Sequence, residues 1–259
     1  MKYARLSETV KIKTISEDKK NGVFEIEGLY TGYGLTVGNA LRRVLLSSIP
    51  GAAVTQIKII GAKHEFTTLP GVLEDIIEII FSLKKVRFRF HADEPQILTI
   101  EARGEKEVTA RDIKANSLVE VVTPDVHIAT LTDKKAELKM EITVEKGLGY
   151  VPVEEMKTEK TPIGVIAIDA VFTPVMKVNF EMENMRVGEH TDYNRLKLSI
   201  ETDGSITPSE AIRKASNILG DHFGKISGLE VKESKKLAET EEKKPKKAAK
   251  TKKATKAKK

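Results

Sequence analysis

The chain has 259 residues, 40% of them hydrophobic and 32% charged, which is room for one large domain or two small ones with real cores. It contains no cysteine, which excludes disulfides, thiolate metal sites and a cysteine nucleophile, and no apolar run reaches the ~18–20 residues that a bilayer span requires. The net charge of +6 belongs to one end: residues 243–259 hold ten lysines and no acid, and removing those ten from the 44 basic residues leaves 34 against 38 acidic, a net of −4.

The start, MKYARLSETVKIK, lacks the apolar core of a signal peptide. With the missing cysteines, this points to the cytoplasm. Val10–Ile15 and Val23–Glu27 alternate apolar and polar around Asn21-Gly22, a hairpin signal. Residues 28–51, GLYTGYGLTVGNALRRVLLSSIPG, read as strand end, glycine loop, helix and stop. Thr36 is the expected N-cap, and Pro50-Gly51 end the pattern. Val37, Ala40, Leu41, Val44, Leu45 and Ser48 share one helical face, which is core or interface. Asn39, Arg42, Arg43 and Leu46 share the other. A leucine beside two arginines there reads either as a docking patch, leucine bringing area and arginine a planar fork of donors for a partner's carboxylates or carbonyls, or as a solvated face with one stray leucine.

Thr55–Ile60 reads as a strand and Val72–Leu83 as a helix opened by Pro70-Gly71. Glu74, Asp75, Glu78 and Ser82 form its polar strip, and the apolar arc is wider than one core face requires, so the helix is deeply buried or shared with a neighbour. Val86–Phe90 alternates as a strand with a basic face. Ile97–Glu101, Val119–Val122, Val126–Leu131 and Leu138–Val144 are short strand-like segments, followed by a loop at 146–152 and a charged excursion at 154–160. Two apolar stretches follow, Val165–Val171 and Val175–Met182, then an alternating strand over Arg195–Glu201 and a turn at Asp203-Gly204. Thr207-Pro208-Ser209-Glu210 is a capping box that opens a helix striped by Ile212, Ala215, Ile218, Leu219, Phe223 and Ile226, with His222 within the stripe as a core or interface residue. Beyond Leu229 the chain is low-complexity and Lys-rich, and is expected to be disordered. Helices near both ends and strands between them give the α+β class.

No catalytic constellation is present in the pattern. Gly32-Tyr33-Gly34-Leu35-Thr36-Val37-Gly38 lies between strand and helix, where phosphate loops occur, but the spacing is G-x-G-x-x-x-G and no Gly-Lys-Ser/Thr follows. A tight strand-to-helix turn explains these glycines. The five histidines, His64, His91, His127, His190 and His222, form no ligand pair, so no metal or cofactor is expected. The Lys-rich end, with Lys246, Lys247, Lys252 and Lys253, reads either as a segment that neutralises phosphates of DNA without reading sequence or as a solubilising tail with no fixed partner.

The run GYGLTVGNALRRVLLSSIPG resembles the signature of the bacterial RNA polymerase alpha-subunit family, in its N-terminal assembly domain. Ile59-x-Gly61-x-x-His64-Glu65-Phe66, Pro70-Gly71-Val72-x-Glu74-Asp75-x-x-Glu78, Gly147-x-Gly149-Tyr150-Val151-Pro152, Ile168-Asp169-Ala170-x-Phe172-x-Pro174-Val175 and Thr191-Asp192-Tyr193 match the family in its order, over residues 5–229. The resemblance implies a non-catalytic, homodimeric scaffold within a DNA-directed RNA polymerase. Residues 1–50 and 174–229 would form a discontinuous dimerisation domain, residues 51–173 an inserted β-rich domain, and 230–259 a basic tail. The two end helices would pair across the dimer through Val37, Leu41, Val44, Leu45, Ile212, Ala215, Leu219 and Phe223. One copy would dock on the beta subunit and the other on beta-prime, with omega and sigma completing the complex. Arg43 and Leu46 stand at the family's beta-contact positions, and Glu78 and Lys84 are further expected contacts. Where the family continues into a helical domain that binds upstream DNA, this chain carries the lysine tail.

Two other readings make different predictions. A nucleotide-binding enzyme using the glycine loop would bind nucleotide saturably and lose it on changing Gly34. A DNA-binding protein working through the tail alone would bind no better than the tail peptide.

Overall fold

The computed structural model describes residues 8–62, 64–156 and 164–229. The Lys-rich end and part of the charged excursion fall outside them.

β1 (Lys11–Glu17) and β2 (Asn21–Leu29) form the expected hairpin, but residues 18–20 make the turn, with the Asp18 N–H donating to the Asn21 carbonyl at 2.7 Å. Gly22 lies in β2, where it serves space rather than the turn: a Cβ there would sit 2.6 Å from the Pro208 Cβ. α1 (Tyr33–Ser47) begins before the expected Thr36, and β3 (Pro50–Ile59) follows almost at once. α2 (Ile76–Leu83) is shorter than its apolar pattern. Asp75 stops it from extending backward, since its carboxylate accepts the Glu78 N–H at 2.8 Å as an N-cap. Val72 instead makes an isolated bridge to Leu131.

The middle of the chain is β-rich. It comprises β4 (Phe88–Phe90), β5 (Gln96–Arg103), β6 (Lys106–Thr109), β7 (Ile113–Lys114), β8 (Val119–Val121), β9 (His127–Leu131), β10 (Glu137–Leu148) and β11 (Tyr150–Val151). A single turn, α3 (Val153–Met156), precedes β12 (Val165–Ala167) and β13 (Ala170–Val171). β10 runs through the expected loop at Gly147, which pairs with Gly51 because the Phe172 ring fills the space a side chain would need. A long ribbon of β14 (Val175–Val187) and β15 (His190–Thr202) leads to α4 (Pro208–Ser227). The fold is α+β, as the pattern predicts.

Two principal sheets organise these elements, and all their pairings are antiparallel. One has the order β1-β2-β15-β14, the other β12-β3-β10-β5-β7. Each buries one face. Along β10, Leu138, Met140, Ile142 and Val144 point into a core, while Glu137 and Lys139 face out and share ion pairs with each other and with Arg103. That core runs from Ala52 to Ile168 and includes Ile76, Ile79 and Leu83 of α2. A second core gathers Phe24, Leu41, Leu45, Ile49, Leu196, Leu198, Ala211 and Ala215 over the four-stranded sheet. A small cluster of Ala53, Ala170 and Phe172 lies apart from both.

α1 lies close on β14 and β15. A Cβ on Gly34 would meet the Met182 Sδ at 2.8 Å and the Asn194 Cβ at 2.9 Å, and one on Gly38 would meet the Phe180 ring at 2.9 Å. The glycine loop is therefore a packing device. Its second and third glycines are filled by the sheet, which leaves no cradle there for a phosphate.

Glu74 staples the segment before α2 to β9. Its carboxylate accepts the Thr130 N–H at 2.6 Å, the Thr130 hydroxyl at 2.9 Å and the His127 Nε2 at 2.9 Å, and Glu107 holds the His127 Nδ1 at 3.0 Å. Burial opposes ionisation of Glu74, but the Thr130 N–H, His127 and the Thr130 hydroxyl more than offset it and hold the carboxyl below its ordinary value. The hydrogen bond from Glu74 lifts His127 above its ordinary 6.5 against the opposing effect of burial, with Glu107 adding to the rise.

The close approach of α1 predicts that Gly34→Ala lowers stability by about 1–3 kcal/mol, despite alanine's advantage of up to ~1 kcal/mol over glycine inside a helix. Urea denaturation reads this directly, and a midpoint at or above wild type would contradict it. For the staple, a raised His127 means its contribution is whole below the ordinary value of 6.5 and is lost as pH rises through the raised one. At the acid end it is lost as pH falls through the depressed Glu74 value. His127 should titrate above 6.5 by NMR, and Glu74→Gln should bring it down. Wild-type stability should fall more than that of the variant as pH rises from 6.5 through the raised His127 value, and parallel pH profiles would refute the assignment.

Candidate docking surfaces

The start of α1 is capped from across the sheet. Gly32 stands at the N-cap position with φ 83°, and its N–H and that of Gly34 donate to the Asn194 Oδ1 at 2.9 and 3.3 Å. Asn194 lies in β15, is 4% exposed, and donates through Nδ2 to the Asn184 Oδ1 at 3.2 Å. Thr36, the expected cap, sits one turn inside the helix with its hydroxyl turned back to the Gly32 carbonyl. Sequence spacing cannot find a cap that arrives from a residue so far along the chain. The only trace is a lone asparagine in a strand otherwise alternating apolar residues.

The capped helix turns Leu41 and Leu45 into the core and leaves Asn39, Arg42, Arg43 and Leu46 exposed together, as the spacing predicts. Leu46 is 36% exposed, and Leu35, one turn before Asn39 on the same strip, is 53% exposed. Leu35 went unnoticed in the sequence because it lies within the glycine loop. Neither guanidinium has a hydrogen bond or ion pair among the described residues, so both donor forks face solvent. Here the Arg43 carbonyl accepts the Ser47 hydroxyl at 2.8 Å, within the helix itself.

α2 offers a second exposed surface. Ile76, Ile79 and Leu83 are core, whereas Phe81 is 57% exposed and Leu73, just upstream, 70%. The wide apolar arc thus resolves into a buried half and an exposed half. Glu78 is exposed near the helix start, where a carboxylate complements the helix dipole. Lys84 is already engaged. Its ammonium pairs with the Asp169 Oδ2 at 3.3 Å, and the Val153 N–H donates to Oδ1 at 3.1 Å. That N–H and then Lys84 hold Asp169 below its ordinary carboxyl value, against burial.

The residues expected at a dimer interface separate into two groups. Leu41, Leu45 and Ala215 are 5%, 0% and 0% exposed within the protomer, where α1 and the first half of α4 bury them on the four-stranded sheet. Val37, Val44, Ile212 and Leu219 remain half-buried. Towards the end of α4, Phe223 and Ile226 are each 61% exposed and His222 is exposed rather than in a core. The α4 start is capped as predicted by Thr207, whose hydroxyl accepts the Glu210 N–H at 3.3 Å. Glu210 itself pairs with Lys214 at 2.9 Å, and Glu17 from β1 accepts the Ser209 N–H at 2.9 Å. Lys246, Lys247, Lys252 and Lys253 lie outside the described residues. No group of His, Cys, Asp or Glu among the described residues could hold a metal ion, and none of the described helices is long and apolar enough to cross a membrane.

Comparison with known proteins agrees with this architecture. A model of the RNA polymerase Rpb3/RpoA insert domain matches residues 57–173, most of the larger core. A DNA-directed RNA polymerase subunit alpha from Symbiobacterium thermophilum is 52% identical over 218 residues, covering 83% of this chain and 69% of the relative. One from Alkaliphilus oremlandii is 52% identical over 214 residues, covering 83% and 67%. One from Oceanobacillus iheyensis is 47% identical over 239 residues, covering 91% and 76%. At this identity and coverage, the chain belongs to the family of DNA-directed RNA polymerase alpha subunits.

Proposed function

We propose that this chain is the non-catalytic scaffold on which a cytoplasmic RNA polymerase assembles. Two copies dimerise, one receiving the beta subunit and the other beta-prime, with omega and sigma joining the complex. The observation that carries this reading is the outer face of α1. It sets two unpaired arginine forks beside two exposed leucines, Leu35 and Leu46, on a helix held rigidly from within. Desolvated arginine with flanking apolar area is the composition of an interface hot spot. Glu78 and Phe81 of α2 supply a second contact, and Lys84 joins it as half of its pair with Asp169.

The domain division follows the two cores. Residues 1–50 with 174–229 build the dimerisation domain, and 51–173 the inserted one. The dimer contact uses what the protomer leaves uncovered: Val37, Val44, Ile212, Leu219 and Phe223. A second, independent role concerns the lysine tail at 230–259, which attracts DNA upstream of the promoter without sequence preference. The supporting observation is its charge, ten lysines with no acid over residues 243–259.

Arg43→Ala should leave the dimer mass unchanged by light scattering and weaken beta binding by about 2 kcal/mol or more, roughly 30-fold. Loss of dimerisation, or unchanged affinity, would contradict the assignment. Deleting 230–259 should weaken promoter binding by the assembled polymerase and flatten the fall of log K with log salt, since each phosphate contact contributes about −0.9 to that slope. An unchanged slope would remove the tail's role.

A further inference from the structure

The two cores are joined by two backbone connections, one entering at Gly51 and the other leaving at Phe172. They run side by side: a Cβ on Gly51 would fall 1.8 Å from the Phe172 carbonyl oxygen. Two strands that cross at one place define a hinge line. Rotation about that line is opposed by contacts made away from it.

Such a contact is built around β4. Arg87, just before that strand, and Arg89, within it, reach from the inserted side to the turn at residues 203–205, which joins β15 to α4. The Arg87 Nε faces the Asp203 Oδ2 at 3.8 Å, with the two side chains 16% and 8% exposed. The Arg89 fork donates from Nε to the Ser205 carbonyl at 3.1 Å and from Nη2 to the Gly204 carbonyl at 3.3 Å, while its Nη1 holds Glu120 of β8 at 2.8 Å. The turn is shaped to receive them. Asp203 accepts the Ser205 N–H at 2.8 Å and its hydroxyl at 2.6 Å. Gly204 has φ 93°, and a Cβ there would lie 3.4 Å from the Val122 Cγ1 of the inserted side. A planar fork that engages two carbonyls fixes orientation as well as distance, which a lysine in its place could not do.

We propose that Arg87 and Arg89 are positioning residues for assembly. They lock the inserted domain against the four-stranded sheet and so set the spacing and angle between the docking faces of α1 and α2. α2 ends only a short turn before β4, with the Val86 N–H donating to the Leu83 carbonyl at 3.0 Å, so the clamp acts directly on that helix. At the other side, β15 carries Asn194, which caps α1, in its first half and ends beside Asp203. One strand thus connects the cap of one docking helix to the clamp of the other. The proposal rests on the reading that both faces meet the beta subunit.

The chain has no cysteine, so two introduced ones give unique label sites on exposed Asp18 and Glu105. Spin labels there, in full-length protein diluted with unlabelled chain, report the distance between the two domains within one protomer by pulsed electron resonance. Arg87→Ala with Arg89→Ala should broaden the distance distribution and lower beta affinity at least tenfold, with the dimer mass unchanged. An unchanged distribution overturns the clamp, and a broadened one with unchanged beta affinity overturns its part in assembly. Arg43→Ala serves as the comparison: it should weaken beta binding with the distribution untouched, so failure of the docking reading is seen separately. Should the double variant not fold, Arg89→Gln alone, at a partly exposed side chain, is read in the same way.

Discussion

Asn194 is the constraint on which the exposed face of α1 depends. Its single side-chain oxygen satisfies two N–H groups at the start of α1, in a place almost closed to water. A buried donor left without a partner costs about 1–3 kcal/mol, so the helix has one low-energy way to sit. Gly34 and Gly38 permit that seat because they let helix and sheet approach at distances no side chain would allow. The consequence reaches the surface. With Leu41 and Leu45 fixed inward, Arg43 and Leu46 are fixed outward, and their geometry towards a partner is set before any partner arrives. Preorganisation of this kind reduces the ordering cost of association.

The same logic extends along the chain. β15 carries Asn194 in its first half and leads into the Asp203 turn at its end, where Arg87 and Arg89 close on it. α2 is oriented by its own devices, the Asp75 cap and the Glu74 staple to Thr130 and His127. Each exposed face is therefore backed by a fixed polar arrangement, buried beneath α1 and only partly buried beside α2. The proposed scaffold role, in which two faces meet large partners, has this need, because surface residues alone cannot fix the angle between them.

Much of this was legible in the sequence, for a physical reason. The exposed arginine-leucine face of α1 follows from helical periodicity, and it stands where spacing placed it. The half-exposed arc of α2 was visible as an apolar stripe too wide for one core. The cap of α1 was not legible, because Asn194 comes from a distant strand. Thr36 was the best local candidate and lost to it. Gly22 suggested a turn, but Pro208 required its missing side chain. Leu41, Leu45 and Ala215 show the limit of periodicity: an apolar stripe does not say whether the chain's own sheet or a second copy covers it. Arg87 and Arg89 read only as a basic strand face, since the turn at 203–205 that they grip lies more than a hundred residues away.

The most direct test places a photo-crosslinking amino acid at Leu46 of the full-length chain, with Ile12 on β1 as an exposed control. Assembly with the beta subunit should give a crosslink from Leu46 to beta and none from Ile12. A chain that assembles with beta but crosslinks only from Ile12 would contradict the assignment of α1 as the docking helix.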